Sequence, residues 1–493
     1  MARQTRIVAN NDTQVLVRMA APEFDELRSL VFRRYPDAEW ATFARFGWHA
    51  AASTLVLTLA KVDAPSIGSL DERVDHVAIA EPYTLNTALA AEQHPLAVGV
   101  IHSHPRGCPP RPSFIDDDMD GYYSGYFEGF APGRPYVSLI LSQMENELAI
   151  SGRIWWRKRW LLVTRVVVER NPVQTWIGGR HPGKRPAAPE RIARLTAALG
   201  REASERLRRS TVAVIGAGGT GSAAIEVLAR AGVGQLIIVD PDHLDESNLE
   251  RVHGSRPEHA DRKTPKVTLA RDHVLSINPS CKVRAFRGAL PQKEIVDAVV
   301  CADLALGCTD QQHSRLALSD LAVRYLVPSL DCGVLLEGDD GRVTGQIIQI
   351  TRFLAADPCA LCRDMIVSTR VAQELMSDSE RTQRQEAARL ARARGEDDNP
   401  YWRNQPQLNT VGYLTTAAGA MAAGYAIGWL TGRFDPPFSR LQMNLAAKFL
   451  DVTDLEQSPQ PGCVCRRVRG WSDQAIADAL ITPPSHWKPV QTL

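Results

Sequence analysis

At 493 residues the chain is too long for one compact core, and a size of about 150 residues per domain predicts two to four domains. Apolar residues at 44% and charged residues at 23% exclude wholesale disorder and a fibrous repeat. The 57 basic and 56 acidic side chains leave a net charge of +1, which excludes a broad electrostatic surface for nucleic acid; the split of nine Lys against 48 Arg reads as codon bias before phosphate recognition.

Nine cysteines are too sparse for a disulfide scaffold, and residues 1–14 lack the apolar core of a signal peptide. The expected compartment is the cytoplasm, where clustered cysteines indicate metal binding or catalysis. In chain order, residues 22–33 read as an amphipathic helix, 41–61 hold strand-like apolar runs, and 97–102 (AVGVIH) form a short apolar strand. Residues 171–190 are rich in Pro and Gly and read as a linker. From Thr211 the pattern turns regular: TVAVI, a Gly-rich turn, a helix through Ala231, the strand QLIIVD, and further pairs to a longer strand at 343–350. Alternation of this kind predicts an α/β fold with a mostly parallel, doubly wound sheet. Residues 377–400 are charged around QRQEAARLARAR and read as a solvated helix or a crossover loop. The uncharged stretch 404–432 is punctuated by Gly412, Gly419, Gly424 and Gly428, so it reads as a closely packed buried helix and not a membrane span.

Two sets of residues carry chemistry. In the first, His102-Ser-His104-Pro ends an apolar strand, and period-two geometry puts both imidazoles on one side. Ser113 and the run Asp116-Asp117-Asp118 follow in a turn-rich loop. Two His and a carboxylate form a catalytic zinc set with one position left for water, whose pKa zinc lowers to about 7. HxH by itself also fits two surface histidines; the added SxxD favours metal. The segment 15–165 resembles the JAMM/MPN family of zinc isopeptidases, whose pattern is an upstream Glu, HxHP and SxxD. The resemblance implies His102, His104 and Asp116 as ligands and Ser113 as the oxyanion stabiliser. It also implies Glu39 as general base, with Glu81 and Glu92 as weaker candidates. The loop between His104 and Ser113 is one residue longer than the family spacing, which leaves Asp117 as an alternative to Asp116.

In the second set, Gly216-Ala-Gly218-Gly219-Thr-Gly221 follows a strand and opens a helix, and Asp240 ends the next strand. These suit a phosphate and a ribose, and alone they also fit an NAD dehydrogenase. Asn248, Arg251, Lys266 and Asp310-Gln311, with Arg315 beyond, add cations and a carboxylate that suit a triphosphate with Mg²⁺. The stretch from about 190 to 467, with SNLER, TPK, INP, CTDQ and PCALC, looks like the ThiF/MoeB superfamily of ATP-dependent enzymes that adenylate the C-terminal glycine of ubiquitin-like proteins. That resemblance implies that Gly219, Asp240, Asn248, Arg251 and Lys266 bind ATP and that Asp310 positions Mg²⁺. It implies further that Arg191 or Arg194 reaches a partner subunit's ATP, while Val252 replaces the family's usual glutamine. Cys359-x-x-Cys362 and Cys463-x-Cys465 supply four thiolates, the composition of a closed structural zinc site, although the second half departs from the family's CxxC.

The expected organisation is therefore an α+β JAMM-like domain at 15–170, a linker at 171–189, and a Rossmann-like adenylation domain at 190–470. The resemblances imply a bifunctional enzyme that adenylates a ubiquitin-like carrier with ATP and Mg²⁺. The same enzyme would hydrolyse amides after the carrier's glycine with a catalytic zinc. Implied partners are the carrier, a separate conjugating enzyme and a second copy of the chain, with no nucleic acid and no membrane. Such fusions resemble bacterial ubiquitin-like conjugation systems, some of which serve phage defence. The alternative is a sulfur-carrier activating enzyme for cofactor synthesis, its first domain maturing or only binding the carrier. Residues 363–462 contain no cysteine where a thioester nucleophile is usual; Cys332 and Cys108 are the remaining options.

Overall fold

The computed structural model describes residues 7, 12–36, 38–51, 53–72, 77–144, 147–170, 173–177, 189–339, 341–402, 410–434, 438–448 and 457–493. Among the described residues two large sheets organise the chain, one of nine strands and one of eight.

The first sheet runs, edge to edge, through Gln174–Ile177, Arg165–Glu169, Gln14–Ala20, Thr54–Asp63, Ala41–Ala51, Ala97–Ser103, Tyr136–Met144, Glu147–Trp156 and Arg159–Leu162. Its inner strands read as near-continuous apolar runs because both faces are covered: every residue of Ala97–Ser103 is buried. That strand pairs antiparallel with Ala41–Ala51 and parallel with Tyr136–Met144, so the HxH segment ends in the middle of the sheet. The helix Phe114–Phe130 starts at a reciprocal capping box between Ser113 and Asp116 and returns over the sheet through Tyr123 and Phe127.

The second sheet contains five parallel strands in the order Ser329–Asp339, Leu304–Gly307, Thr211–Ile215, Gln235–Val239 and Lys282–Arg287. The chain winds outward from Thr211–Ile215 in one direction and then returns to its other side. A crevice forms at that reversal, between the C-terminal ends of Thr211–Ile215 and Leu304–Gly307. Two antiparallel strands, Arg342–Phe353 and Arg440–Asn444, extend one edge, and Gln491–Thr492 closes the other. The expected uncharged helix is Gly412–Thr431, packed on Gly219–Ala231 through small residues: a Cβ on Gly419 would lie 2.2 Å from the Thr220 carbonyl oxygen. Its first expected residues, 404–409, lie outside the described ones. Among the described residues no helix is long and apolar enough to cross a membrane. The charged segment 377–400 forms the exposed helix Asp378–Ala393, opened by a Ser377–Glu380 capping box.

The expected linker differs from what is found. Residues 174–177 form a strand paired with Arg165–Glu169, because Trp176 packs on Phe24 and donates to the Leu148 carbonyl at 2.7 Å. The remainder of the expected linker, apart from residues 173 and 189, lies outside the described residues. The two sheets also share a core. Leu16, Val56 and Val167 of the first pack with Ile215, Ile237, Val239 and Phe286 of the second. Arg18 crosses this junction fully buried and donates to the carbonyls of Val300 (2.8 Å), Tyr325 (3.2 Å) and Ala302. Burial and the neighbouring Arg165 lower its pKa to about 10, so it stays charged at neutral pH.

Candidate nucleotide cleft and candidate metal centres

The crevice of the second sheet opens into a cleft of about 390 Å³. Gly216, Gly218, Gly219, Asp240, Asn248, Arg251, Lys266, Asp310 and Gln311 all line it, although they span 96 positions of sequence. The first turn is made by Gly216, whose φ of +98° and 2.5 Å approach of a Cβ to the Cys308 carbonyl admit only glycine. Gly218 then caps the helix Gly219–Ala231, whose N-terminal amides face the cleft. Gly221, expected among the nucleotide-binding glycines, does not line the cleft. A Cβ there would lie 1.8 Å from the Gly216 carbonyl, so this glycine allows close packing of helix on strand.

Asp240 is buried at the end of Gln235–Val239, where its carboxylate accepts from Ala217 N–H (2.7 Å) and Asp242 N–H (2.8 Å). Burial raises its pKa to about 6 despite Lys266 nearby, so it ionises at neutral pH at an energetic cost. Lys266 opens the next helix and bridges to Asp242 at 2.9 Å. Burial would lower its pKa, but Asp240 and Asp242 raise it, so the ammonium is fixed as a cation. Arg251 donates to the Ser247 carbonyl at 2.8 Å, and Val252 lies beside it in the wall. Asp310 is exposed at the cleft, at the start of the loop into the helix Gln312–Arg324. This geometry suits a triphosphate: amides and two cations on one side, a buried carboxylate for ribose hydroxyls, and an exposed carboxylate for a divalent ion. Within the chain, Arg191 binds Asn278 and Ser280 at 2.5 and 2.8 Å, and neither it nor Arg194 lines the chain's own cleft. Arg370, from a helix sixty residues further on, lines the cleft and was not expected. Nothing in its local sequence (IVSTRVAQE) marks it, since the fold alone brings it there.

The four cysteines converge. Sγ separations are 3.6 Å for Cys359–Cys362, 3.7 Å for Cys359–Cys463 and 3.8 Å for Cys362–Cys465. A tetrahedron with Zn–S bonds of about 2.3 Å has edges of about 3.8 Å, so the thiolates fit zinc. The C-x-C spacing works because Cys463 caps the short helix Val464–Arg467, which turns Cys465 back toward the first pair. Cys332 and Cys308 are buried, and burial raises both thiols far above the ordinary range. Cys108 is exposed.

On the first sheet, the nearest donor atoms of His102, His104 and Asp116 all lie within 4.8 Å of one another. His102 Nε2 is 2.9 Å and His104 Nε2 3.6 Å from the Asp116 carboxylate. His104 Nδ1 lies 3.0 Å from the Pro109 carbonyl, which fixes the tautomer and leaves Nε2 as the donor to a metal. Neither buried ring nitrogen of His102 has a well-aligned hydrogen bond, so Nε2, which faces Asp116, is open to a metal. Burial would raise the Asp116 pKa, yet the two imidazoles hold it well below the carboxylate range. Asp117, the alternative ligand, is bridged to Arg153. Ser113 serves as the helix cap, its Oγ accepting from Asp116 N–H at 3.1 Å. Glu39 precedes Trp40, whose backbone pairs with Ser103 between the two histidines; burial would lower the His104 pKa, but Asp116 and the Pro109 carbonyl raise it, with Glu39 the smallest contributor. Glu81 opens and Glu92 nearly closes the helix Glu81–Gln93.

Among curated relatives, the probable adenylyltransferase/sulfurtransferase MoeZ of Mycobacterium tuberculosis is 42% identical over 127 residues, 25% of this chain and 31% of that protein. The molybdopterin-synthase adenylyltransferase of Escherichia coli is 34% identical over 163 residues, 33% of this chain and 61% of the relative. The SAMP-activating enzyme E1 of Haloferax volcanii is 32% identical over 166 residues, 33% of this chain and 57% of the relative. The chain thus spans from about a third to three fifths of the length of these relatives. The ThiF family matches residues 191–465, which hold the whole cleft and the four-cysteine cluster. With more than half of its residues inside that match, and with the Rossmann-like sheet and glycine turn described above, the chain belongs to the ThiF family.

Proposed function

We propose that the chain uses ATP to adenylate the C-terminal carboxylate of a small carrier protein. The observation that carries this reading is the convergence of Gly218, Asp240, Arg251, Lys266 and Asp310 on one cleft. A carrier carboxylate oxygen attacks the α-phosphorus, the bond to the bridging oxygen breaks, and pyrophosphate leaves with the displaced electrons. Lys266 and Arg251 offset the charge that builds on the phosphates, and Asp240 holds the ribose. Asp310 would hold Mg²⁺, which neutralises phosphate charge when bound. Two observations favour a sulfur carrier over a modifier destined for conjugation. Relatives bear the names adenylyltransferase/sulfurtransferase and molybdopterin-synthase adenylyltransferase. In addition, residues 363–462 offer no cysteine, and burial suppresses Cys308 and Cys332 as nucleophiles. Carrier-dependent ATP–pyrophosphate exchange tests the proposal, with Asp310→Ala as control. The expected outcome is exchange by the wild type and a loss on the order of 100-fold in the variant. Absence of exchange with every glycine-terminated carrier removes the reading.

A second activity is favoured by the His102, His104 and Asp116 cluster. We propose that this site matures the carrier by hydrolysing an amide after its terminal glycine, or cleaves isopeptide conjugates of it. Zinc bound there would supply Lewis acidity and an acidified water; Glu39 would take the proton. Cleavage of a carrier fusion by wild type and Glu39→Gln tests it. Equal cleavage by both removes Glu39 as base, and no cleavage by the zinc-loaded wild type reduces the domain to carrier binding.

A further inference from the structure

The loop that presents Asp310 is held by Glu374 from behind the cleft and by Arg370 in its wall. On its C-terminal side, the Glu374 carboxylate accepts the backbone N–H of Gln312 (3.1 Å) and of His313 (2.9 Å), with His313 Nδ1 at 3.0 Å. On its N-terminal side, Arg370 Nη2 donates to the carbonyl of Asp310 itself at 2.9 Å, while its Nε donates to Glu374 at 3.1 Å. Gln312 completes the contact by accepting from Val367 N–H at 2.5 Å. Both charged side chains belong to one seven-residue helix, Ser368–Glu374, which follows the Cys359–Cys362 turn. The side chains are largely shielded, Arg370 at 20% and Glu374 at 16% exposure. Burial opposes ionisation of Glu374, but His313 and the two amides hold its pKa below the ordinary value. The carboxylate thus accepts the first orphan amides of the helix Gln312–Arg324, which no side chain of that helix caps.

We infer that the helix Ser368–Glu374 is a strut that fixes the metal-binding carboxylate of Asp310, with Arg370 and Glu374 as positioning residues. The inference rests on the adenylation reading and deepens it. A carboxylate that binds a small divalent ion must be placed to within a fraction of an ångström, and its supporting partners set affinity almost as strongly as the ligand does. Without Arg370, the Asp310 carbonyl loses its donor, and the peptide that orients the side chain is left to the Gln311 N–H, which donates to Thr309 Oγ1 at 3.1 Å. Without the Glu374 charge, the two amides behind the loop lose their anchor. Glu374 does not line the cleft and acts through the loop, so nucleotide binding without metal should be insensitive to Glu374→Gln.

The test uses the full chain with Mn²⁺ and a non-hydrolysable ATP analogue. Free Mn²⁺ is read by its electron paramagnetic resonance signal, and metal-free analogue binding and the thermal midpoint are measured in parallel. Arg370→Ala and Glu374→Gln are each expected to weaken Mn²⁺ binding in the nucleotide complex on the order of 10-fold. Arg370→Lys should recover part of that loss, since one ammonium can still reach the Asp310 carbonyl. In Glu374→Gln, metal-free analogue affinity should stay within about twofold of wild type. If Mn²⁺ affinity is unchanged in Arg370→Ala, the strut is overturned. If metal-free affinity falls as much as Mn²⁺ affinity in Glu374→Gln, the change acts on the whole nucleotide site, and the positioning role is again overturned. Failure of the wild type to bind Mn²⁺ with the analogue refutes the adenylation reading instead, and the strut falls with it.

Discussion

Three residues in and beside the nucleotide cleft illustrate how differently single positions contribute. Gly221 is a packing residue: its missing Cβ admits the Gly216 carbonyl at 1.8 Å from where the atom would stand. Gly221→Ala should therefore cost about 1–3 kcal/mol, the usual penalty of overpacking, and lower the thermal midpoint even without nucleotide. Lys266 is a charge: its ammonium is clamped by Asp242 at 2.9 Å and faces Asp240. Lys266→Ala should leave the midpoint nearly unchanged and reduce pyrophosphate exchange on the order of 100-fold, a split that separates site from scaffold. Asp240 is costly for the fold itself, since burial pushes its pKa to about 6. These roles were partly legible in the sequence. GAGGTG, the strand-ending aspartate and TPK have spacings that chemistry demands of a nucleotide site, but which glycine packs and which faces phosphate depends on carbonyls that the fold delivers.

At the scale of elements, helices are joined by a few polar clusters whose behaviour with pH can be worked out. Glu226 on the helix Gly219–Ala231 lies 2.9 Å from His253 Nδ1 and 3.2 Å from His273 Nε2 of the helix Lys266–Ile277, with Arg230 beside it. Burial would raise its pKa, but Arg230 and the two histidines lower it from 4.5 to about 2. A depressed carboxylate stabilises the fold fully above pH about 4.5, and that contribution is lost as pH falls through about 2. Glu226→Gln should lower stability at pH 7.5 by about 1 kcal/mol, the linkage value discounted for partial exposure. The difference should shrink between pH 4.5 and 2 in chemical denaturation. The four-cysteine cluster is a second joint, tying 359–362 to 463–465 across about a hundred residues. Cys463→Ser should remove one zinc per chain by metal analysis and sharply lower the midpoint, since metal affinity here is folding energy.

The whole molecule is held by contacts that cross from one sheet to the other. Arg18 supplies donors to three carbonyls on the far side, and Glu169 accepts Ala355 N–H at 2.9 Å. The turn 470–474 locks against the first sheet. Gly47 N–H donates to the Gly470 carbonyl at 3.2 Å, Trp48 N–H to Gln474 at 2.7 Å, and His49 meets Asp473 at 3.0 Å. Arg18→Ala leaves those buried carbonyls without partners and should cost about 3–5 kcal/mol. If the shared core is as strong as its burial implies, wild-type unfolding should follow one transition, and Arg18→Ala should split it into two in calorimetry.

The sequence by itself determined the α/β pattern from Thr211 onward, the glycine turn, the HxH strand and the candidate ligands, because period-two alternation, helix caps and turn chemistry are local. His102, His104 and Asp116 were legible for the same reason, being brought together within fifteen residues by one strand and one capped helix. Only the tertiary structure decided which aspartate faces the histidines, since Asp117 is taken by Arg153 from a distant strand. It alone placed Arg370 and Glu374 behind Asp310, and closed C-x-x-C on C-x-C. It also showed that the sheets of the two expected domains share a core, with Arg18 buried at their junction. Contacts of this kind join residues about 35 to 300 positions apart, and no local spacing encodes them.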